Sequence, residues 1–277
     1  MGRLRNTLEL AKTSWTVLKK DRELLWFPVL SFLASIVVIV VFAIPTIAIS
    51  ETTDSVSGEE TTNPAVFVLL VLAAMTLSAV AVFFNGALVA GAYERMSGGD
   101  PTVSSAMGRA FSRIAGLLPW ALLTATVGLI LQVLRNRAGA LGRFVINLVG
   151  MAWDVATFLV VPAIIIDEMG AVDGLKRSGS LLRETWGENL AARVGFGLLG
   201  FVAIIPAVIV VVIAFATSVT AFIVVGIVAA VAWVALVMVV LTALNAVFQT
   251  ALYLYATTGS VPSGFEASPL PQSFEQR

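Results

Sequence analysis

Long runs of apolar residues, separated by short polar segments, dominate the chain. A helix needs about 20 apolar residues to cross a bilayer core. Six runs reach that length: Leu24–Ser50, Pro64–Tyr93, Ile114–Leu134, Phe144–Ile166, Leu190–Ala216 and Thr220–Tyr253. The fifth and sixth are divided only by Thr217-Ser218-Val219-Thr220. One helix through both would overshoot any bilayer, so a tight hairpin is expected there. Pro45, Pro119, Pro162 and Pro206 fall inside runs and are read as kinks, because neighbouring helices can satisfy the freed carbonyls. Trp26 and Trp120 sit near run ends, where a half-wet indole is favoured.

A second pattern precedes each pair of runs. Leu4, Leu8, Ala11, Trp15 and Leu18 fall on one helical face, with Arg5, Lys12 and Lys19 beside it. Val103, Met107, Ala110 and Ile114 repeat the stripe, with Arg109 and Arg113 one turn apart. Val172, Leu175, Leu182 and Trp186 repeat it again, with Lys176 and Arg183 alongside. A basic helix with an apolar face lies in the headgroup plane, so these cations are candidate contacts for anionic lipid. The unit of surface helix, span out and span back thus occurs three times, over about 4–93, 102–166 and 172–256. The even runs also echo one another, as Phe84-Asn85-Gly86-Ala87-Leu88 and Phe248-Gln249-Thr250-Ala251-Leu252. The expected fold is an all-α membrane bundle of three pseudo-repeated hairpins, one domain over 1–256, with a flexible tail over 257–277. The first run is read as a permanent anchor rather than a cleaved signal, being too long for one.

Basic residues orient the spans. Of the 17 Lys and Arg residues, all but Arg135, Arg137 and Arg143 fall on one side if both termini are cytoplasmic. Those three lie between the third and fourth runs, while the loop Glu51–Asn63 is acidic and holds no cation. Arginines on the outer side ordinarily snorkel to lipid phosphates, and they can also mark a headgroup or partner contact.

Polar residues inside the runs seek other polar groups. Ser78 and Asn85 form one stripe, Asn147, Asp154 and Thr157 a second, and Thr242, Asn245 and Gln249 a third. The even runs are therefore expected to line the bundle interior. Asp154 is the acid nearest the middle of a run, where an ionised carboxylate costs about 2.5–3.5 kcal/mol on insertion scales. It reads either as a carboxyl hydrogen-bonded to a neighbouring Asn, Gln or Thr, or as a cation- or proton-linked site. Ala121, Ala125 and Gly128 on the third run, and Gly197 and Gly200 on the fifth, read as places of close helix approach.

Composition narrows the chemistry. The chain is 58% hydrophobic and 12% charged, where a soluble domain has about 25% charged residues. Mean hydropathy is +0.96. With neither Cys nor His, disulfides, thiolate nucleophiles, Cys/His zinc sites and Ser-His triads are excluded. The formal net charge is zero, which offers nucleic acid no footprint. No phosphate-binding glycine loop is present, and Asp167-Glu168 has no neighbouring base in sequence, so it reads as a span end meeting basic helix residues.

Three stretches carry a resemblance. They are Ser14-Trp15-Thr16-Val17-Leu18-Lys19-Lys20-Asp21, the long segment Thr157–Leu190, and Phe248–Gly259. Together they resemble a family of six-span membrane proteins of bacteria and archaea catalogued as a domain of unknown function. More loosely, the hairpin repeats are similar to the membrane domain found beside some glycerophosphodiester phosphodiesterases, without the soluble catalytic domain. The resemblance implies a prokaryotic plasma membrane and transfers no functional residues. The expectation is a non-enzymatic membrane component with no cofactor and no metal. Its expected partners are membrane lipids and another membrane protein. The alternative is a transporter or channel for a small solute or lipid, using the polar stripes of the second, fourth and sixth runs. An intramembrane enzyme stands third.

Overall fold

The computed structural model describes residues 12–57, 63–217 and 219–265, without the side chains of 50–57 and 182–199. Every regular element among them is helical. Helix α1 (12–20) ends at Asp21, and a 3-10 turn over Arg22–Leu25 leads into α2 (Trp26–Ser57). Then come α3 (Pro64–Met96), α4 (Val103–Ser112), α5 (Ile114–Arg137), α6 (Ala140–Ala156), α7 (Val160–Ile166), α8 (Ala171–Ala216) and α9 (Thr220–Thr258). Five stretches are long and apolar enough to cross a membrane: Arg22–Ile49, Pro64–Met96, Ile114–Arg137, Ala140–Ile166 and Thr220–Thr258. Gly200–Ala216 is a shorter apolar helical stretch. Phe32, Val37 and Ile44 on α2 and Val225 and Val228 on α9 are each more than half exposed. Water does not tolerate so continuous an apolar surface; a bilayer does.

The chain divides into two compact units. One gathers the described residues of Met1–Pro28, Gly91–Pro101 and Leu181–Arg277. Its centre is the hairpin of α8 and α9, with α8 ending at Ala216 and α9 starting at Thr220, where the weak polar stretch predicts a turn. The indole Nε1 of Trp233 donates to the carbonyl of Ala203 at 2.8 Å. A Cβ on Gly200 would lie 3.0 Å from Leu241, and one on Gly226 would collide with the Ala214 methyl. These pairs sum to nearly one constant, the register of an antiparallel helix pair with small residues at the closest approach. Gly259, in the left-handed region at φ 69°, ends α9 by donating to the carbonyl of Tyr255.

The other unit holds Val29–Ala90 and Thr102–Ser180. Its core is Leu117 and Trp120 of α5 with Phe158, Leu159, Ile164 and Ile165 around α7, all nearly inaccessible. Glycines set the approach distances. A Cβ on Gly86 would lie 2.9 Å from Leu117, and one on Gly116 would lie 2.8 Å from both Ile164 and the carbonyl oxygen of Met169. Thr102 caps α4 through a reciprocal pair of hydrogen bonds with Ser105.

Several expectations are corrected. The fourth run is not one kinked helix: it breaks at Thr157-Phe158-Leu159 into α6 and α7. Pro162 falls in the first turn of α7, where its missing N–H costs nothing and its ring has no helical carbonyl to strike. The third surface helix and the fifth run are one continuous helix of 46 residues, about 69 Å long, rather than two elements. Trp120 is buried and stacks on Trp153 at 6.1 Å, so it is no half-wet anchor, whereas Trp26 is 58% exposed. Gly128 has no neighbour within 4 Å and marks no close approach. Leu4, Arg5, Leu8, Ala11 and the tail beyond 265 lie outside the described residues, as do the side chains of Leu182, Arg183 and Trp186 and the surroundings of Gly197.

Candidate functional site

Two sets of polar side chains organise the units, and both lie at helix ends. The first surrounds Asp21. A single residue of non-helical backbone separates α1 from the 3-10 turn, and Asp21 occupies it, 5% exposed. Its carboxylate accepts from Nε and Nη2 of Arg95 in the last turn of α3, a two-pronged pairing suited to a guanidinium. Nη2 of Arg95 also donates to exposed Asp100 at 2.8 Å. The pair fixes the end of α1 against the end of α3. Ser14, Val17 and Leu18 are buried on one side of α1, while Lys12, Thr16, Lys19 and Lys20 are exposed on the other. The ammonium of Lys19 lies 5.5 Å over the Trp15 ring.

The second set lies in the other unit and repeats the arrangement with exchanged charge. Arg113 is the single residue between α4 and α5, and its Nη2 donates to Glu168, just past α7. Glu168 adopts φ 60°, unusual for a residue with a side chain. Nearby, Ser178 of α8 is fully buried at the break between α6 and α7. Its Oγ donates to the carbonyl of Ala156 at 2.7 Å and accepts from the N–H of Leu159 at 3.1 Å. One hydroxyl thus satisfies a donor and an acceptor that the break would strand away from water.

The sequence-derived residues distribute unevenly. Ser78 donates to the carbonyl of Ala121 at 2.9 Å and joins α3 to α5. Asn85 is half-buried, and Thr157 caps α6, its Oγ1 donating to Trp153 at 2.8 Å. Gln249 is buried. Asn147, Asp154, Thr242 and Asn245 are exposed. On α6 the opposite face wins burial, because Trp153 and Val155 pack inward and leave Arg143, Asn147 and Asp154 on the outside. Among the candidate lipid contacts, Lys12, Lys19 and Lys176 are exposed, and Lys176 stands 3.6 Å from Asp173. Arg109 is half-buried. Arg113, a candidate lipid contact, pairs with Glu168, the meeting of span end and basic helix residue expected of Asp167-Glu168.

Asp21 and Ser178 were missed by sequence reasoning. Asp21 had a signal: an acid where a basic helix meets an apolar run is placed to find a cation. Ser178 had none, since its role depends on a break that only packing reveals. Among the described residues no group of three carboxylates gathers in a metal-binding arrangement.

No curated protein matches the chain. A family model, described as a family of unknown function (DUF6159), matches residues 64–265. That span covers all of α3 to α9, including Arg95, Arg113, Glu168 and Ser178. The match agrees with the resemblance to a domain of unknown function and gives no support to the looser one to the phosphodiesterase-associated domain. The chain belongs to the DUF6159 family of unknown function.

Proposed function

We propose that this protein is a non-enzymatic membrane scaffold whose basic helices bind anionic lipid or a partner protein at the cytoplasmic face. The observation that carries the reading is the placement of Lys12, Lys19 and Lys20 on the exposed side of α1. Exposed Arg22 and Trp26 follow within two turns, and then the exposed apolar surface of α2. Cations, an indole and aliphatic side chains in that order match the headgroup, interfacial and hydrocarbon levels of a bilayer. The buried pair of Asp21 and Arg95 holds α1 in that position.

In this reading the chain crosses six times as three helix-hairpin repeats, with α8 supplying the crossing beyond the five most apolar stretches. The ion pairs support it. Asp21 with Arg95 closes the ends of α2 and α3, and Arg113 with Glu168 closes the ends of α5 and α7. Each pair joins residues flanking two successive runs, so each hairpin returns to the side it left. Amide exchange of residues 12–20 tests the lipid contact. Nanodiscs of phosphatidylglycerol should slow it relative to phosphatidylcholine, and K12Q/K19Q/K20Q should erase the difference. Equal exchange in both lipids would refute the contact.

A transporter is the second reading, favoured by the helix break one turn beyond Asp154, because interrupted helices line many transport sites. Ser178 already engages two of the backbone groups at the break, which suits a packing device better. Dye-reported proton flux in proteoliposomes, abolished by Asp154→Asn, would favour transport; no flux above empty vesicles would favour the scaffold.

A further inference from the structure

Arg135, Arg137 and Arg143 sit where the orientation rule does not expect cations, and the structure places an apolar groove beside them. The groove runs between α3 and α5, lined by Phe67, Val71 and Met75 on one side and Leu129, Ile130 and Val133 on the other. Its volume is about 370 Å³. Eight residues separate Phe67 from Met75, so the groove extends about 12 Å along the helices. Three residues past Met75, Ser78 ties α3 to α5 through the carbonyl of Ala121. At the opposite end the lining stops at Leu134, and Arg135 is the next residue.

The helices that carry the three arginines bring few acids with them. No Asp or Glu occurs between Asp100 and Asp154. Among the described residues none of the three pairs with a carboxylate. Arg135 donates one bond, from Nη2 to Gln132 at 3.0 Å, and its buried Nε has no hydrogen-bond partner. Nε of Arg143 donates to the carbonyl of Ala138 at 3.0 Å, while Arg137 is exposed. Guanidinium groups at the open end of an apolar groove match one ligand class: an anionic headgroup carrying an acyl tail. The tail replaces lipid contacts along the groove, and the phosphate accepts bidentate bonds from the arginines.

We infer that the α3–α5 groove and the Arg135, Arg137 and Arg143 cluster bind an anionic phospholipid, one acyl chain in the groove and its phosphate on the guanidinium groups. This goes beyond the scaffold reading and uses none of its basic-helix residues, so either can fail alone.

Native mass spectrometry of the full chain, released from nanodiscs holding equal phosphatidylglycerol and phosphatidylcholine, tests it. Wild type should retain phosphatidylglycerol in preference. The variant R135Q/R137Q/R143Q should lower that preference at least about tenfold. Val71→Trp should fill the groove and lower retention of both lipids. Arg137→Gln alone, at an exposed position, should weaken the preference measurably if the triple variant does not fold. An unchanged preference after loss of the arginines would overturn the inference. So would unchanged retention in Val71→Trp, or a dimer that Val71→Trp dissolves without altering bound lipid.

Discussion

Val17 lies against Gly264: a Cβ on the glycine would stand 2.9 Å from Cγ2 of Val17. Residues near the two ends of the described chain therefore touch, within one compact unit. Segments in van der Waals contact outside the spans share one side of a membrane, which requires an even number of crossings between them. Five stretches are long and strongly apolar, and the proposed sixth crossing in α8 would make the number even.

Gly264 also adopts φ 89°, where a side chain is strained even in open space. Gly264→Ala should destabilise the protein by about 1–3 kcal/mol. Val17→Ala in the same chain should restore only the steric part. Thermal unfolding of the single and double variants in detergent measures this.

The two ion pairs should differ in strength. Asp21 is 5% exposed, whereas Glu168 is 55% exposed. Asp21→Asn leaves Arg95 only its bond to exposed Asp100 and should cost about 2 kcal/mol. Glu168→Gln should cost less than about 1 kcal/mol, because solvent screens the pair. Denaturant titrations give the ordering, and equal losses would show that burial does not govern the two sites.

Ser178→Ala removes the hydroxyl that satisfies Ala156 and Leu159 at the α6–α7 break. Both backbone groups then lose their partner, with an expected loss of about 2 kcal/mol. Amide exchange at residues 157–161 should accelerate in the variant while exchange in α9 stays unchanged.

Two glycines should respond oppositely to alanine. In Gly116→Ala the new methyl meets the Met169 carbonyl, so a loss of about 1–3 kcal/mol is expected. Gly128 has open space, and alanine there should stabilise α5 by about 0.5–1 kcal/mol. Unfolding midpoints of the two variants on either side of wild type would agree with the packing described.

The helices were legible because apolar run length is a one-dimensional property. The starts of α3, α5 and α9 at Pro64, Ile114 and Thr220 fall where the sequence pattern places them. The break at 157–159 was not, since Pro162 is equally compatible with a kink and with a first turn until Ser178 is seen to cap the gap. The stripe through Asn147 and Asp154 was legible as a stripe but not as an exposed one. Periodicity says which residues share a face, and the packing of Trp153 on Trp120 decides which face turns inward. That Asp167-Glu168 meets a basic helix residue was legible, but not that the residue is Arg113, which is distant in sequence and near only in the fold.

The absence of cysteine makes the central claim directly measurable. Single cysteines at Thr16, Ser57 and Ser263 can be labelled with a membrane-impermeant maleimide, in intact cells and after opening the cytoplasmic side. Six crossings predict that Thr16→Cys and Ser263→Cys label only after opening, and Ser57→Cys in intact cells. Labelling of Thr16→Cys and Ser263→Cys from opposite sides would mean an odd number of crossings and would contradict the account.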